Sequence, residues 1–115
     1  MKNQPFSPVD ITEIKLSEAI FEIETVFRIT RRGLIFVGKI KNGTLYLGDI
    51  ISFSFNNEMY YRKITGIEIA SRIKGSKNDR TGILIQTINE EEIDHLKTWQ
   101  PNNYIANIYQ LSNDD

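Results

Sequence analysis

His95 is the one histidine of this 115-residue chain, and it stands among Glu90, Glu91, Glu92 and Asp94. Imidazole beside carboxylates is the material of general acid–base catalysis and of metal binding, but both need partners at matched spacing. The neighbours Asp94 and Lys97 form no recognisable site of either kind. Asn89 followed by three glutamates reads instead as the start of a short helix. Its side chain can cap orphan amides, Glu92 occupies the reciprocal capping-box position, and the acids complement the helix dipole. His95 then falls near the helix end, where a cation is favourable. There is no cysteine, so thiolate ligands and disulfides are excluded, and no Gly-x-Ser-x-Gly elbow is present. The residues point to no catalytic site, no metal and no cofactor.

Basic side chains offer a different chemistry. The net charge is −1, but residues 28–80 hold eleven Lys or Arg against four acids, a net +7. Residues 1–27 carry −3 and residues 81–115 carry −5. A basic stretch between acidic ends can face phosphate. The candidate contacts are Arg31, Arg32, Arg62, Lys63, Arg72, Lys74 and Arg80. Tyr60-Tyr61-Arg62-Lys63 interleaves aromatic and basic groups, as surfaces for single-stranded nucleic acid do. Two plainer explanations compete. The oppositely charged segments can pair with one another on a mixed surface, and any strand with alternating faces produces the same aromatic–basic pattern.

The elements that must position these groups are short strands. A composition with 40% hydrophobic and 25% charged residues is that of an ordinary globular domain. No apolar run approaches the roughly 18 residues of a membrane span, and MKNQPFSPVD lacks a signal-peptide core. A cytoplasmic protein is expected. Residues 1–17 read as an N-terminal arm and residues 18–115 as the folded unit. From Glu18 the pattern alternates, with Ala19, Phe21, Ile23 and Thr25 on one face. Asn42-Gly43 between apolar alternations predicts a type I′ hairpin joining 34–41 to 44–47. Asn42-Gly43-Thr44 also matches a glycosylation acceptor, but the turn is the favoured explanation. Ile51, Phe53 and Phe55 share a face of the next strand. Asn56-Asn57 supplies a second turn, Met59 to Ile64 returns, and Gly66 marks a bulge. Ile83-Leu84-Ile85 suits a buried strand. Ile93 and Leu96 face inward from one helical turn near 90–96, and Tyr104 to Leu111 is a last strand. The fold class is all-β, a small closed antiparallel β-barrel.

The order of these pieces resembles the second domain of translational GTPases of the elongation factor Tu type. The resemblance rests on Phe21-Glu22-Ile23-Glu24-Thr25-Val26-Phe27-Arg28-Ile29, Arg32-Gly33, Val37-Gly38, Gly43 and Leu45-Tyr46-Leu47-Gly48-Asp49. It continues through Ile64-Thr65-Gly66-Ile67-Glu68, Thr81-Gly82-Ile83-Leu84-Ile85 and Glu91-Glu92-Ile93, collinear over about residues 19–101. It implies a β-barrel of the translation-factor domain 2 type. It does not bring a GTPase, since no G-x-x-x-x-G-K-[ST] loop exists to bind nucleotide. In that family the barrel holds the 3′ end of aminoacylated tRNA, with the terminal adenine in an apolar pocket. The positions similar to that pocket are Ile29, Ile35, Glu68 and Leu84, and from the sequence the three apolar ones are better explained as barrel core. The chain departs from the family at Arg31, Ala70, Arg80 and His95-Leu96, where the family keeps Gly, His, Asn and Arg-Gly.

Two functions follow as expectations. One is a non-catalytic binding module, a free-standing barrel of this type that contacts RNA, the ribosome or another translation component. The other is a protein-interaction or decoy module, for example an immunity-type protein that mimics a translation factor. A plain dimerising domain is a third. The partner and the oligomeric state stay open.

Overall fold

Alternating apolar residues need a closed surface to cover them, and six strands provide it. The computed structural model describes residues 9–69 and 80–111. After a 3₁₀ turn at Ile11–Glu13 come β1 (Ile14–Ile29), β2 (Gly33–Asn42), β3 (Ile50–Phe55), β4 (Glu58–Ile69) and β5 (Thr81–Ile85). A short helix, α1 (Glu90–Leu96), precedes β6 (Tyr104–Leu111). All neighbours are antiparallel, and the order β1-β2-β5-β4-β3-β6 closes on itself. β1 begins at Ile14, because Ile14, Lys15 and Leu16 pair with Leu111, Gln110 and Tyr109.

Every strand sends side chains into one core, including Phe21, Ile23, Leu34, Phe36, Ile51, Phe53, Ile64, Ile83, Ile85 and Ile108. Ile93 and Leu96 of α1 join it, as their i, i+3 spacing dictates. Phe53 is the centre of an aromatic stack, with its ring 5.2 Å from Tyr60, 5.4 Å from Trp99 and 5.0 Å edge-on from Phe36. Such pairs add about 0.5–1.5 kcal/mol each beyond area burial. The face expected for β1 holds for Ala19, Phe21 and Ile23 but not for Thr25. The register shifts between Ile23 and Thr25, and Val26 takes the inward place. A second shift falls between Ile64 and Gly66, at the expected bulge.

The Asn42-Gly43 hairpin does not form. β2 pairs with β1 and β5, and residues 44–49 carry no strand. A type I′ turn needs positive φ at both central residues, and of this pair only Gly43 has it (φ 73°). Asn42 donates its amide to the Glu18 carbonyl at 3.0 Å, while Gly43 passes so close to β1 that a Cβ would sit 2.7 Å from Ala19 Cα. The chain therefore leaves β2's neighbours and crosses to β3. The hairpin with both residues at positive φ is at Asn56-Asn57 (54° and 66°), with Phe55 opposite Glu58.

The crossing is fixed by Asp49, whose buried carboxylate accepts the Tyr46 N–H at 3.0 Å. Its backbone ties to β4, since Ile64 N–H donates to the Asp49 carbonyl at 2.7 Å and Gly48 N–H to the Ile64 carbonyl at 2.9 Å. Burial pushes the Asp49 carboxyl above its ordinary value, and the Tyr46 N–H opposes this in part. The capping of α1 also differs in one detail from expectation. Asn89 Oδ1 accepts Glu92 N–H at 2.9 Å, but Glu92 reaches back to the Ile88 N–H, not to that of Asn89.

Gly43→Ala should lose about 3 kcal/mol, combining a strained φ with a backbone collision. Gly48→Ala, with φ 93° and open space around it, should lose about 1 kcal/mol. Urea midpoints of the two variants check the order. A raised folded-state carboxyl pKa means that stability is lost as pH rises from the ordinary aspartate value through the folded one. Asp49→Asn should therefore gain on the wild type as pH climbs above about 4, and the gain should vanish below about pH 3. Melting temperatures of both proteins across that range test the sign.

Candidate functional site

The four pocket-like positions come together on the outside of the barrel. Residues opposite one another in register share a face. Leu34, Phe36, Ile83 and Ile85 belong to the core cluster, so Ile35 and Leu84, which are paired with each other, alternate outward. Both are buried (7% exposed), as a core reading requires, yet neither is a member of the central cluster. Each lies down over a glycine. A Cβ on Gly82 would come within 2.7 Å of Ile35 Cδ1, and one on Gly66 within 2.7 Å of Leu84 Cδ1.

The register continues these positions into rows. Phe27 pairs with Ile35, Ile35 with Leu84 and Leu84 with Gly66, which makes one row across β1, β2, β5 and β4. Thr25, Val37, Gly82 and Glu68 make the next. Ile29, half-buried, stands opposite Gly33 on the other side of the first row. Phe27 is 50% exposed and was not among the expected site residues. Its place follows from the shift at Ile23–Thr25, which the sequence does not advertise.

The turn from β1 to β2 edges this face. Arg32 N–H donates to the Ile29 carbonyl at 2.9 Å, which puts Thr30 and Arg31 at the centre of the turn. Arg31 has φ 69°, in the third turn position, where glycine is relaxed and other residues pay about 1–2 kcal/mol. Arg32 forms an ion pair with Glu68, both ends about half exposed. An exposed pair of this kind contributes at most about 1 kcal/mol.

The other described cations of the basic stretch, candidates or not, are dispersed and mostly engaged. Arg80 pairs with Glu24 at 2.6 Å, Lys41 with Glu22 at 3.5 Å, and Arg28 with Glu90 and Asp94. Glu22 is held below the usual carboxylate range by the Asn103 amide and then by Lys41. Among the described residues, several cations of the basic middle thus meet acids from both ends, in line with the mixed-surface explanation. Arg62 is buried and paired through two nitrogens with Glu92, and its guanidinium sits 4.9 Å from the Tyr60 ring centre. It ties β4 to α1 and is not placed to meet phosphate. Tyr60 stacks on Phe53, Tyr61 packs against Tyr109, and Lys63 is half-buried, so the Tyr60–Lys63 stretch divides between two faces. Arg72, Lys74 and Ala70 lie outside the described residues.

His95 is exposed in the last turn of α1. Among the described residues no group of three His, Asp or Glu is placed to hold a metal ion, and no helix is long and apolar enough to cross a membrane. No protein-family model matches the chain.

Removing one partner of the buried pair leaves an uncompensated charge. Arg62→Ala should lose about 3–5 kcal/mol, and Arg62→Met with Glu92→Leu should recover most of it. Urea unfolding of the single and double variants measures both.

Proposed function

We propose that this protein is a non-catalytic binding module of the translation-factor domain 2 type, which holds RNA on the outer face of β1, β2, β5 and β4. One observation carries the proposal. Ile29, Ile35, Glu68 and Leu84 are spread over more than fifty residues of sequence, yet they meet on one outer face instead of dispersing in the core. Those are the positions that the resemblance associates with an RNA end. Exposed Phe27 extends the apolar row and offers a flat ring of the kind on which bases stack. Paired cations argue for contact recognition over a broad phosphate track, so binding should be modest and confined to low or moderate salt.

A protein partner is the second reading, and a different place favours it. Tyr46 and Leu47 are 58% and 66% exposed where the chain crosses from β2 to β3, and Tyr46 lines a groove with Leu16 and Gly43. Such apolar exposure suits a protein surface.

Filter binding of unfractionated tRNA across a salt series tests the RNA proposal. Salt-sensitive binding is expected, with Phe27→Ala weakening it severalfold while the melting temperature stays close to wild type. No binding at low ionic strength removes the proposal.

A further inference from the structure

We infer that Arg31 is kept in the β1–β2 turn to contact a phosphate of the bound RNA, and not for the fold. The inference rests on the RNA reading of the outer face. Its first support is the backbone. Arg31 holds φ 69° at the turn position that glycine occupies without strain, so the fold would be better served by a glycine. The second is the side chain. Arg31 is exposed, and among the described residues it makes no hydrogen bond or ion pair. Its neighbours Arg28 and Arg32, and Arg80 beyond them, all have carboxylate partners. A strained residue that returns no contact to the fold is a candidate for a contact to something else. The third is place. The turn closes the row of Ile29 and Gly33, which borders the apolar row of Phe27, Ile35 and Leu84. A base lying on that row would bring its backbone to the turn, within reach of a long guanidinium side chain. A single arginine contact to phosphate adds affinity without reading sequence.

Three proteins decide the matter: wild type, Arg31→Gly and Arg31→Lys, each melted and each titrated with unfractionated tRNA from about 50 to 200 mM salt. Arg31→Gly should melt a few degrees higher yet bind severalfold more weakly. Its salt slope should be smaller by about one, as expected for one lost phosphate contact. Arg31→Lys keeps the charge and the strain, so its slope should match wild type with no gain in melting temperature. If Arg31→Gly binds with wild-type affinity and slope, or is no more stable than wild type, the role of Arg31 is overturned while the RNA reading stands. If wild type itself shows no salt-sensitive binding, both fall together.

Discussion

The whole barrel depends on β1 having two partners. It is the longest strand, and it pairs with β2 through Ile20–Ile29 and with β6 through Ile14–Ile23. Antiparallel strands in a row would leave two open edges and one uncovered apolar face. Closure through β1 removes both edges and turns the apolar face inward, so that residues as far apart as Phe21 and Ile108 enter one cluster. Serving two neighbours around a tight curve bends the strand. The bend appears as register shifts, between Leu16 and Ile20 against β6 and near Phe21 and Thr25 against β2.

Those shifts also create the outer face. Had alternation run unbroken from Ala19, Phe27 would point inward and Val26 outward. The irregularity at Ile23–Thr25 exchanges them and places an exposed aromatic ring beside Ile35. The same face requires β5 to be apolar on both sides, with Ile83 and Ile85 inward and Leu84 outward. Leu84 points away from the core, and Gly66 opposite it leaves room for its side chain to lie flat. A larger residue at 66 would lift Leu84 and break the row. The outer face and the curvature of the barrel are therefore set by the same few residues.

What was legible in the sequence was whatever local chemistry decides. Asn89 ahead of three glutamates is a helix start in any context, and the pairing of Ile51, Phe53 and Phe55 is a matter of period two. Asn56-Asn57 and Asn42-Gly43 carry similar local signals, but only the first is a hairpin. Tertiary packing decides between them: Asn42 finds the Glu18 carbonyl, and Gly43 finds the Ala19 backbone, neither of which is near in sequence. The orientation of Ile35 and Leu84 was illegible for a related reason. Their neighbours on both sides are equally apolar, so the pattern alone reads as a fully buried strand, and only the register with Gly82 and Gly66 separates the inner from the outer residue. Arg62 is the converse case. It looks like a surface cation in the sequence and becomes a buried tie because Glu92, thirty residues later, lands beside it.

The electrostatics follow from the topology as well. β1 brings Glu22 and Glu24 next to the strands that carry Lys41 and next to Arg80, and α1 brings Glu90, Glu92 and Asp94 against Arg28 and Arg62. Among the described residues, five cations of the +7 centre, Arg28, Arg32, Lys41, Arg62 and Arg80, are thus set against carboxylates. At physiological salt the fields of such paired charges decay within about 8–10 Å. On the RNA proposal a ligand of the outer face would be selected at contact, by a flat group on the exposed ring of Phe27 and by one or two charges at the rim. On that proposal recognition rests on shape and apolar area, with Arg31 at the turn adding a charge contact.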